Sequence, residues 1–320
     1  MVLTYLNFFI MIHRIRQIVP ILIILGLLSI CFRSIAHELR EYSWQQVWQS
    51  LMAIPDSQKL AALLLTALGY LTITGYDLLG FRYIRHSLAP AKIILTSFLS
   101  YAIGNTVGFT LFSGTAIRYR FYRAWGVTPL QIAKVIGFTH LSFWLGMLAI
   151  GGVVFLVDPL TLPSLLKLPF HSVHPLGLIF LSIALLYLLF SLWYHKPLYF
   201  RGEALAVPSF GLSLGLMIVS ALDWGLASGV LYRLLPSHAS LSYPGFFGIY
   251  VLALTAGIFS TVPGGLGVFE TAILLLRPPS LSAPEMMGAL LVYRGIYYFL
   301  PLIVALGLWV VHEFQSHRVT

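Results

Sequence analysis

The chain has 320 residues, of which 59% are hydrophobic and only 9% are charged, and its formal net charge is +9. Soluble domains carry about 25% charged residues, and a water-soluble fold of this size could not bury so much apolar surface. The composition excludes a soluble catalytic domain and predicts an all-α polytopic membrane protein, because long apolar runs favour helices over a barrel. The basic excess indicates contact with anionic lipid head groups rather than with nucleic acid.

Eight apolar runs approach the length needed to cross a bilayer, which takes about 20 residues of helix. They lie at residues 18–32, 60–83, 92–112, 130–157, 174–193, 208–235, 244–262 and 284–312. We predict one membrane domain over 17–313, between tails at 1–16 and 314–320. An uncleaved first helix is favoured over a signal peptide because seven more spans follow. For eight crossing helices, the distribution of Lys and Arg between the loops does not decide the orientation.

The segment between the first two runs predicts a short amphipathic helix that follows Ser43 and ends before Pro55. Its apolar residues recur at helical spacing and are Trp44, Val47, Trp48, Leu51 and Met52. Such a helix lies in the membrane interface or packs on the edge of the helix bundle, and the sequence leaves both open.

Two halves of the chain, about 17–157 and 174–313, share landmarks at nearly constant spacing and predict an internal repeat. The pairs are Gly104 with Gly257, Gly114 with Gly267, Thr128 with Ser282, and His140 with Arg294. Upstream, Asp77 pairs with Asp223 if one loop differs in length by about eight residues. Thr128 and Ser282 each open a capping box, which predicts a helix start in both halves. Many transporters place a central binding site at the interface of such halves.

Ionisable side chains inside apolar spans are candidate functional residues, because each costs at least ~2.5–3.5 kcal/mol to insert. They are Asp77, Asp223, Lys134, His140 and Arg294, with Glu270 at the edge of a span. Arg294 lies deep in its helix, so we predict a buried carboxylate partner, Asp223 or Glu270. The alternative role for Arg294 is a static ion pair that joins two helices. His140 is better explained as a neutral, hydrogen-bonded histidine than as a proton carrier.

Two further segments are candidate phosphate sites. Arg118, Arg120 and Arg123 alternate with aromatic residues, and their guanidinium groups suit a lipid phosphate. The alternative is an ordinary basic loop that touches head groups from outside. Farther along, Gly264, Gly265 and Gly267 follow Pro263 and break the helix at the membrane edge. A re-entrant turn there would meet a half-helix whose N-terminus offers free N–H groups to an anion. The alternative is a tight loop between two spans.

Motifs of zinc proteases, P-loop enzymes and dinucleotide-binding enzymes are absent from the sequence. We therefore expect no catalytic residues, no metal site and no cofactor. The single cysteine, Cys31, excludes a disulfide within the chain.

Several of these segments resemble the membrane domain of the lysylphosphatidylglycerol synthetase family, the bacterial multiple peptide resistance factors. The matching stretches are residues 70–77, 113–120, 221–224, 262–270 and 293–298. The resemblance implies a bacterial inner-membrane protein that flips phosphatidylglycerol or its aminoacyl derivative, with Asp77, Asp223 and Arg294 in the lipid path. The chain ends at Thr320, so we expect it to lack the family's tRNA-dependent synthetase domain.

The leading hypothesis is a lipid translocase. The acidic residues would receive a cationic head group, while the arginines and the glycine turn would hold its phosphate. One alternative is a non-catalytic membrane subunit that docks a separate aminoacyl-lipid synthetase, and another is a small-solute transporter. The sequence is also compatible with a homo-oligomer.

Overall fold

The structure is a computed structural model that describes residues 44–107, 110–158, 172–194, 196–200, 203–259, 265 and 267–317. Nearly all of these residues belong to one compact unit, Val47–Thr320. The other unit, Met1–Gln46, contributes only residues 44–46 to the description. The predicted first span at 18–32 therefore lies outside the described residues.

The described residues are almost entirely helical. The helices are α1 (Trp44–Ala53), α2 (Asp56–Tyr83), α3 (Pro90–Val107), α4 (Thr110–Ala124), α5 (Pro129–Val157), α6 (His174–Trp193), α7 (Phe210–Arg233), α8 (Tyr243–Phe259), α9 (Val268–Leu276), α10 (Ala283–Tyr293) and α11 (Leu300–His317). A π-helical segment, Arg294–Phe299, joins α10 to α11, and a 3-10 turn lies at Ser237–Ala239. Strands β1 (Leu198–Phe200) and β2 (Glu203–Leu205) form a small antiparallel hairpin, with Tyr199 opposite Ala204.

Five helical segments are long and apolar enough to cross a membrane: α2, α5, α6, α7 and the continuous rod from α10 to α11. These segments confirm the predicted all-α polytopic class. They also confirm the predicted spans at 60–83, 130–157, 174–193, 208–235 and 284–312.

The other two predicted spans, 92–112 and 244–262, are the first arms of helical hairpins rather than single crossing helices. Helix α3 ends at Val107 and α4 begins at Thr110, and the Arg118 guanidinium lies 4.6 Å from the Tyr101 ring. The two arms α8 and α9 meet in the same way, with the rings of Tyr250 and Phe269 5.6 Å apart. Helix α4 is about 22 Å long and α9 about 13 Å. Neither second arm reaches across roughly 30 Å of hydrocarbon.

Helices α2 and α7 form the most extensive helix contact and run antiparallel. Their neighbouring pairs, from one end to the other, are Leu65 with Gly229, Gly69 with Leu226, Gly75 with Val219, and Leu79 with Gly215. Glycine allows this approach, because a Cβ at Gly75 would lie 3.2 Å from the Val219 side chain. The order span, hairpin, span therefore occurs twice, first in α2–α5 and then, in the opposite direction, in α7–α11.

Both predicted capping boxes are present at the start of the last span of each half. The Thr128 hydroxyl accepts the Gln131 N–H at the start of α5, and the Ser282 hydroxyl accepts the Glu285 N–H at the start of α10. A proline follows each cap within the first turn, where its missing N–H is of no consequence.

The predicted amphipathic helix is present as α1, and the structure supports the alternative in which it packs on the edge of the bundle, while a position in the membrane interface stays a prediction. Val47 is buried, and a Cβ at Gly288 would lie 3.0 Å from the Leu51 backbone nitrogen, so α1 packs closely on α10. Trp48 and Met52 remain exposed on its other face. This composition suits the boundary between head groups and acyl chains.

Candidate functional site

The first buried ion pair joins the hairpin α3–α4 to the long helix α2. The Arg118 guanidinium donates to both carboxylate oxygens of Asp77, with Nε 2.9 Å from Oδ1 and Nη2 3.0 Å from Oδ2. The two side chains are 1% and 0% exposed. Removing one partner from such a pair leaves a buried charge that is strongly unfavourable unless other polar groups bind it.

The second buried ion pair joins the hairpin α8–α9 to the π-helical segment. Arg294 donates to Glu270 Oε1 from Nε at 2.7 Å and from Nη2 at 2.5 Å. Its guanidinium also lies 4.6 Å from the Tyr298 ring centroid, a favourable cation–π distance. The prediction that Arg294 has a buried carboxylate partner is confirmed, and the partner is Glu270 rather than Asp223.

Both ion pairs attach a hairpin to a spanning segment, but they have opposite polarity and use different spans, the first span of the first half and the last span of the second half. In the first half the hairpin supplies the arginine, Arg118, and the long helix supplies the acid, Asp77. In the second half the hairpin supplies the acid, Glu270, and the long helix supplies the arginine, Arg294. Each half thus attaches its hairpin to a spanning segment by one buried charge pair.

Asp223 is a buried acid for which the described part of the chain supplies no cationic partner. It lies on α7 where this helix contacts α2, it is 6% exposed, and it accepts a hydrogen bond from Tyr76 Oη at 3.1 Å. Within the described ranges, no Lys, Arg or His nitrogen lies within 4.0 Å of its carboxylate. A buried carboxylate in this setting is suited to receive a cation or a hydrogen-bond donor from a ligand.

The π-helical segment, which carries Arg294, accepts hydrogen bonds from hydroxyl groups of the first half. Tyr70 Oη donates to the Tyr297 carbonyl at 3.2 Å, and Thr106 Oγ1 donates to the Tyr298 carbonyl at 3.3 Å. Single turns of π-helix inside α-helices are frequent at functional sites. Sequence reasoning missed this segment and the role of Tyr70, although Gly295 before two tyrosines marked the position.

The structure does not bring the three arginines of the predicted phosphate site together. Successive helical residues are about 100° apart, so Arg118 and Arg120 point to opposite sides of α4. Arg118 is inside and paired with Asp77, whereas Arg120 is 52% exposed and donates to Glu313 at 2.8 Å over the Trp309 ring. Arg123 is exposed.

The predicted anion site at the glycine turn is occupied by a side chain of the protein. Gly264 lies outside the described residues, while Gly265 and Gly267 have φ of +61° and +85°, which favour glycine. The predicted half-helix is present as α9. However, the Gly267 N–H donates to Glu270 Oε2 at 3.0 Å. This N–H is therefore not free for a phosphate, because Glu270 already caps the helix.

His140 is in the hydrogen-bonded state that the sequence favoured. Its Nδ1 lies 2.8 Å from the Ile136 carbonyl one turn earlier in α5. The side chain is half-buried and contributes no charge pair to the site.

No model of a known protein family matches the chain. The chain is 47% identical over 290 residues to the protein slr0712 of Synechocystis, covering 91% of this chain and 90% of that protein. It is 29% identical over 282 residues to the inner membrane protein YbhN of Escherichia coli, covering 88% of each. It is also 28% identical over 238 residues to the phosphatidylglycerol lysyltransferase of Staphylococcus aureus, which covers 72% of this chain but only 26% of that enzyme.

The helices long enough to cross a membrane and the similarity to an inner membrane protein both indicate a multi-pass membrane protein. The chain belongs to the family of slr0712, and its similarity to YbhN and to the lysyltransferase relates it to the membrane domains of the lysylphosphatidylglycerol synthetase and YbhN group.

Proposed function

We propose that this protein is a phospholipid translocase that moves phosphatidylglycerol, or its aminoacyl derivative, between the two leaflets of a membrane. The observation that carries the proposal is the set of buried charges in two halves whose first helices run antiparallel. Among the described residues each half has one buried arginine, and Asp223, on α7 where it contacts α2, has no cationic partner. The similarity to a phosphatidylglycerol lysyltransferase supports a lipid as the substrate.

The chemistry of the site matches the two charged groups of such a lipid. A phosphodiester is an anion that guanidinium groups bind with paired hydrogen bonds, and Arg118 and Arg294 supply such groups. An aminoacyl ester adds an ammonium group, which Asp223 accepts. Because both arginines are held by carboxylates, the phosphate enters by exchange with Asp77 or Glu270. This exchange brings one phosphate charge into the site and leaves one carboxylate without its arginine.

The hairpins also change the prediction of orientation. Each of the two hairpins, α3–α4 and α8–α9, begins and ends on the same side of the membrane. The loops before and after a hairpin therefore lie on that one side. On the side of the membrane that contains the α4–α5 loop, the described Lys and Arg residues are Arg82, Arg85, Lys92, Arg120, Arg123 and Lys196. On the opposite side they are Lys59, Arg233 and Arg277. Positive residues favour the cytoplasm, so we place the α4–α5 loop there.

This orientation is tested by cysteine labelling in bacterial cells after Cys31→Ser. A membrane-impermeant thiol reagent should label His238→Cys in intact cells and should label Ala124→Cys only after the membrane is opened. The opposite pattern would refute the orientation and leave the translocase proposal in place.

The function is tested by reconstituting purified protein into liposomes with a small amount of head-group-labelled lysylphosphatidylglycerol or phosphatidylglycerol. The protein should expose inner-leaflet label to an impermeant reagent faster than protein-free liposomes do, and labelled phosphatidylcholine should move more slowly. Movement that appears only when a synthetase is added would favour the docking-subunit hypothesis. Transport of a small solute without lipid movement would contradict the lipid proposal.

A further inference from the structure

Four buried hydroxyl groups in the first hairpin have no hydrogen-bond partner among the described residues. They are Ser97 Oγ and Ser100 Oγ on α3, and Thr115 Oγ1 and Tyr122 Oη on α4. Buried hydroxyls are normally paired, and an unpaired one is unfavourable. All four unpaired groups lie in this hairpin, which also carries Arg118.

The hydroxyls lie on the faces by which the two arms meet. On α3, Ser97 shares a face with Ser100, three residues later, and with Tyr101, four residues later. On α4, Thr115 and Tyr122 share a face with Arg118, three residues before and four residues after it. The two faces are joined where Arg118 stacks on Tyr101.

Helix α2 closes this group on the third side. Asp77 binds Arg118, and one turn further along the ring of Phe81 lies 4.8 Å from the ring of Tyr122. The unpaired hydroxyls therefore lie on the two arms of the hairpin that carries Arg118, and Tyr122 also contacts α2 through Phe81. Arg118 is the only charged side chain that is buried in this hairpin within the described ranges.

We propose that Ser97, Ser100, Thr115 and Tyr122 are positioning residues that receive the Asp77 carboxylate when Arg118 transfers to a lipid phosphate. The inference rests on the proposed function and specifies how its first ion pair opens. Separating a buried pair is unfavourable because each charge loses its partner. A phosphate replaces the lost partner of Arg118, and the hydroxyls donate hydrogen bonds to the carboxylate that Arg118 leaves.

In the closed state Arg118 binds Asp77 and the hydroxyls are unpaired. In the open state Arg118 binds the lipid phosphate and the hydroxyls bind the Asp77 carboxylate. A hydroxyl that is paired in the closed state would have to lose that bond first, and the exchange would gain nothing. This predicts an unusual combination: removing one of these hydroxyls leaves the closed protein as stable as before, or more stable, and slows the exchange.

The test uses Tyr122→Phe and the double variant Ser97→Ala with Ser100→Ala. In detergent without anionic lipid, both should have a melting temperature equal to or above that of the wild type. Phosphatidylglycerol binding and liposome translocation should each fall roughly tenfold, since a hydrogen bond to a charged group is lost. A variant with wild-type binding and translocation would overturn the inference.

Two matched controls separate this role from general packing. Thr96→Val removes a buried hydroxyl on the same helix whose Oγ1 already donates to the Lys92 carbonyl at 2.9 Å. Tyr243→Phe makes the same change as Tyr122→Phe at a hydroxyl that donates to the Gly225 carbonyl at 2.6 Å. Both controls should lower the melting temperature and leave lipid binding unchanged. Loss of binding in the controls equal to that in Tyr122→Phe would overturn the inference.

A third variant makes the outcome independent of transport. In Asp77→Asn the carboxylate charge is gone, so adding Tyr122→Phe should not change phosphatidylglycerol binding any further. An undiminished effect of Tyr122→Phe in that background would refute the role of the hydroxyls. If the wild type binds phosphatidylglycerol but does not move it, the translocase proposal fails while this binding comparison still decides the inference. If it neither binds nor moves the lipid, both fail.

Discussion

Both buried ion pairs attach a hairpin to a spanning segment, but their surroundings differ. Among the charged groups that the structure describes, Asp77 binds only Arg118, and unpaired hydroxyls lie on the helices around it. Glu270 binds Arg294 with one oxygen and caps the first turn of α9 with the other. The first carboxylate is therefore free to change partners, whereas the second is also a part of the backbone structure. We therefore expect the first hairpin to be the one whose ion pair exchanges with lipid.

The largest effect on stability is expected at the second pair. Arg294→Leu should lower the free energy of unfolding by roughly 3–5 kcal/mol, because it leaves Glu270 charged and buried. Adding Glu270→Leu should restore most of this loss, short of about 1 kcal/mol for the missing helix cap. The measurement is thermal or denaturant unfolding of both variants. A double variant that is stable and fully active in lipid movement would show that Arg294 has only a structural role.

A smaller effect is expected from the equivalent change in the first half. Arg118→Leu leaves the Asp77 carboxylate without its cation, but nearby hydroxyls can donate to it. We therefore expect the unfolding free energy to fall by less than for Arg294→Leu, by roughly 1–3 kcal/mol. Equal losses at the two positions, measured under the same conditions, would contradict the distinction between the hairpins.

Asp223 should contribute little to stability and much to substrate choice. Asp223→Asn keeps an acceptor for Tyr76, so we expect the unfolding free energy to change by less than about 1 kcal/mol. The rate at which lysylphosphatidylglycerol moves should fall to that of lipids without an ammonium group. The rate for phosphatidylglycerol should not change. Equal loss for both lipids would mean that Asp223 does not read the ammonium group.

The smallest effect is expected at the surface of α4. Arg120→Gln removes an exposed pair with Glu313, and such pairs contribute about 0–1 kcal/mol. Its melting temperature should therefore stay close to that of the wild type. A loss similar to that of Arg118→Leu would show that the two arginines do act as one cluster.

The sequence was sufficient where the signal is local or where one charge demands another. The capping boxes at Thr128 and Ser282 follow from four-residue patterns, and the buried partner of Arg294 follows from the cost of a lone charge in lipid. The duplication itself, with the boundaries given for the two halves, stays a prediction, although the order of elements agrees with it.

Other features depend on contacts between distant segments. The apolar run at 92–112 has the length of a span, and only the shortness and return of α4 make it one arm of a hairpin. The pairing of Arg118 with Asp77 joins residues 41 positions apart. Their sequence environments give no sign of it, since an arginine beside Arg120 and Arg123 looks like part of a basic surface. In the π-helical turn, likewise, two carbonyls accept hydrogen bonds from the distant residues Tyr70 and Thr106.

The most direct test compares lipid translocation by three proteins in the same liposome assay: the wild type, Arg118→Gln and Arg120→Gln. The account predicts that wild type and Arg120→Gln move labelled phosphatidylglycerol at equal rates, because Arg120 lies on the outer face of α4. It predicts that Arg118→Gln, checked for folding by its melting temperature, moves lipid no faster than protein-free liposomes do. Wild-type rates in folded Arg118→Gln, or no movement by the wild type, would contradict the account.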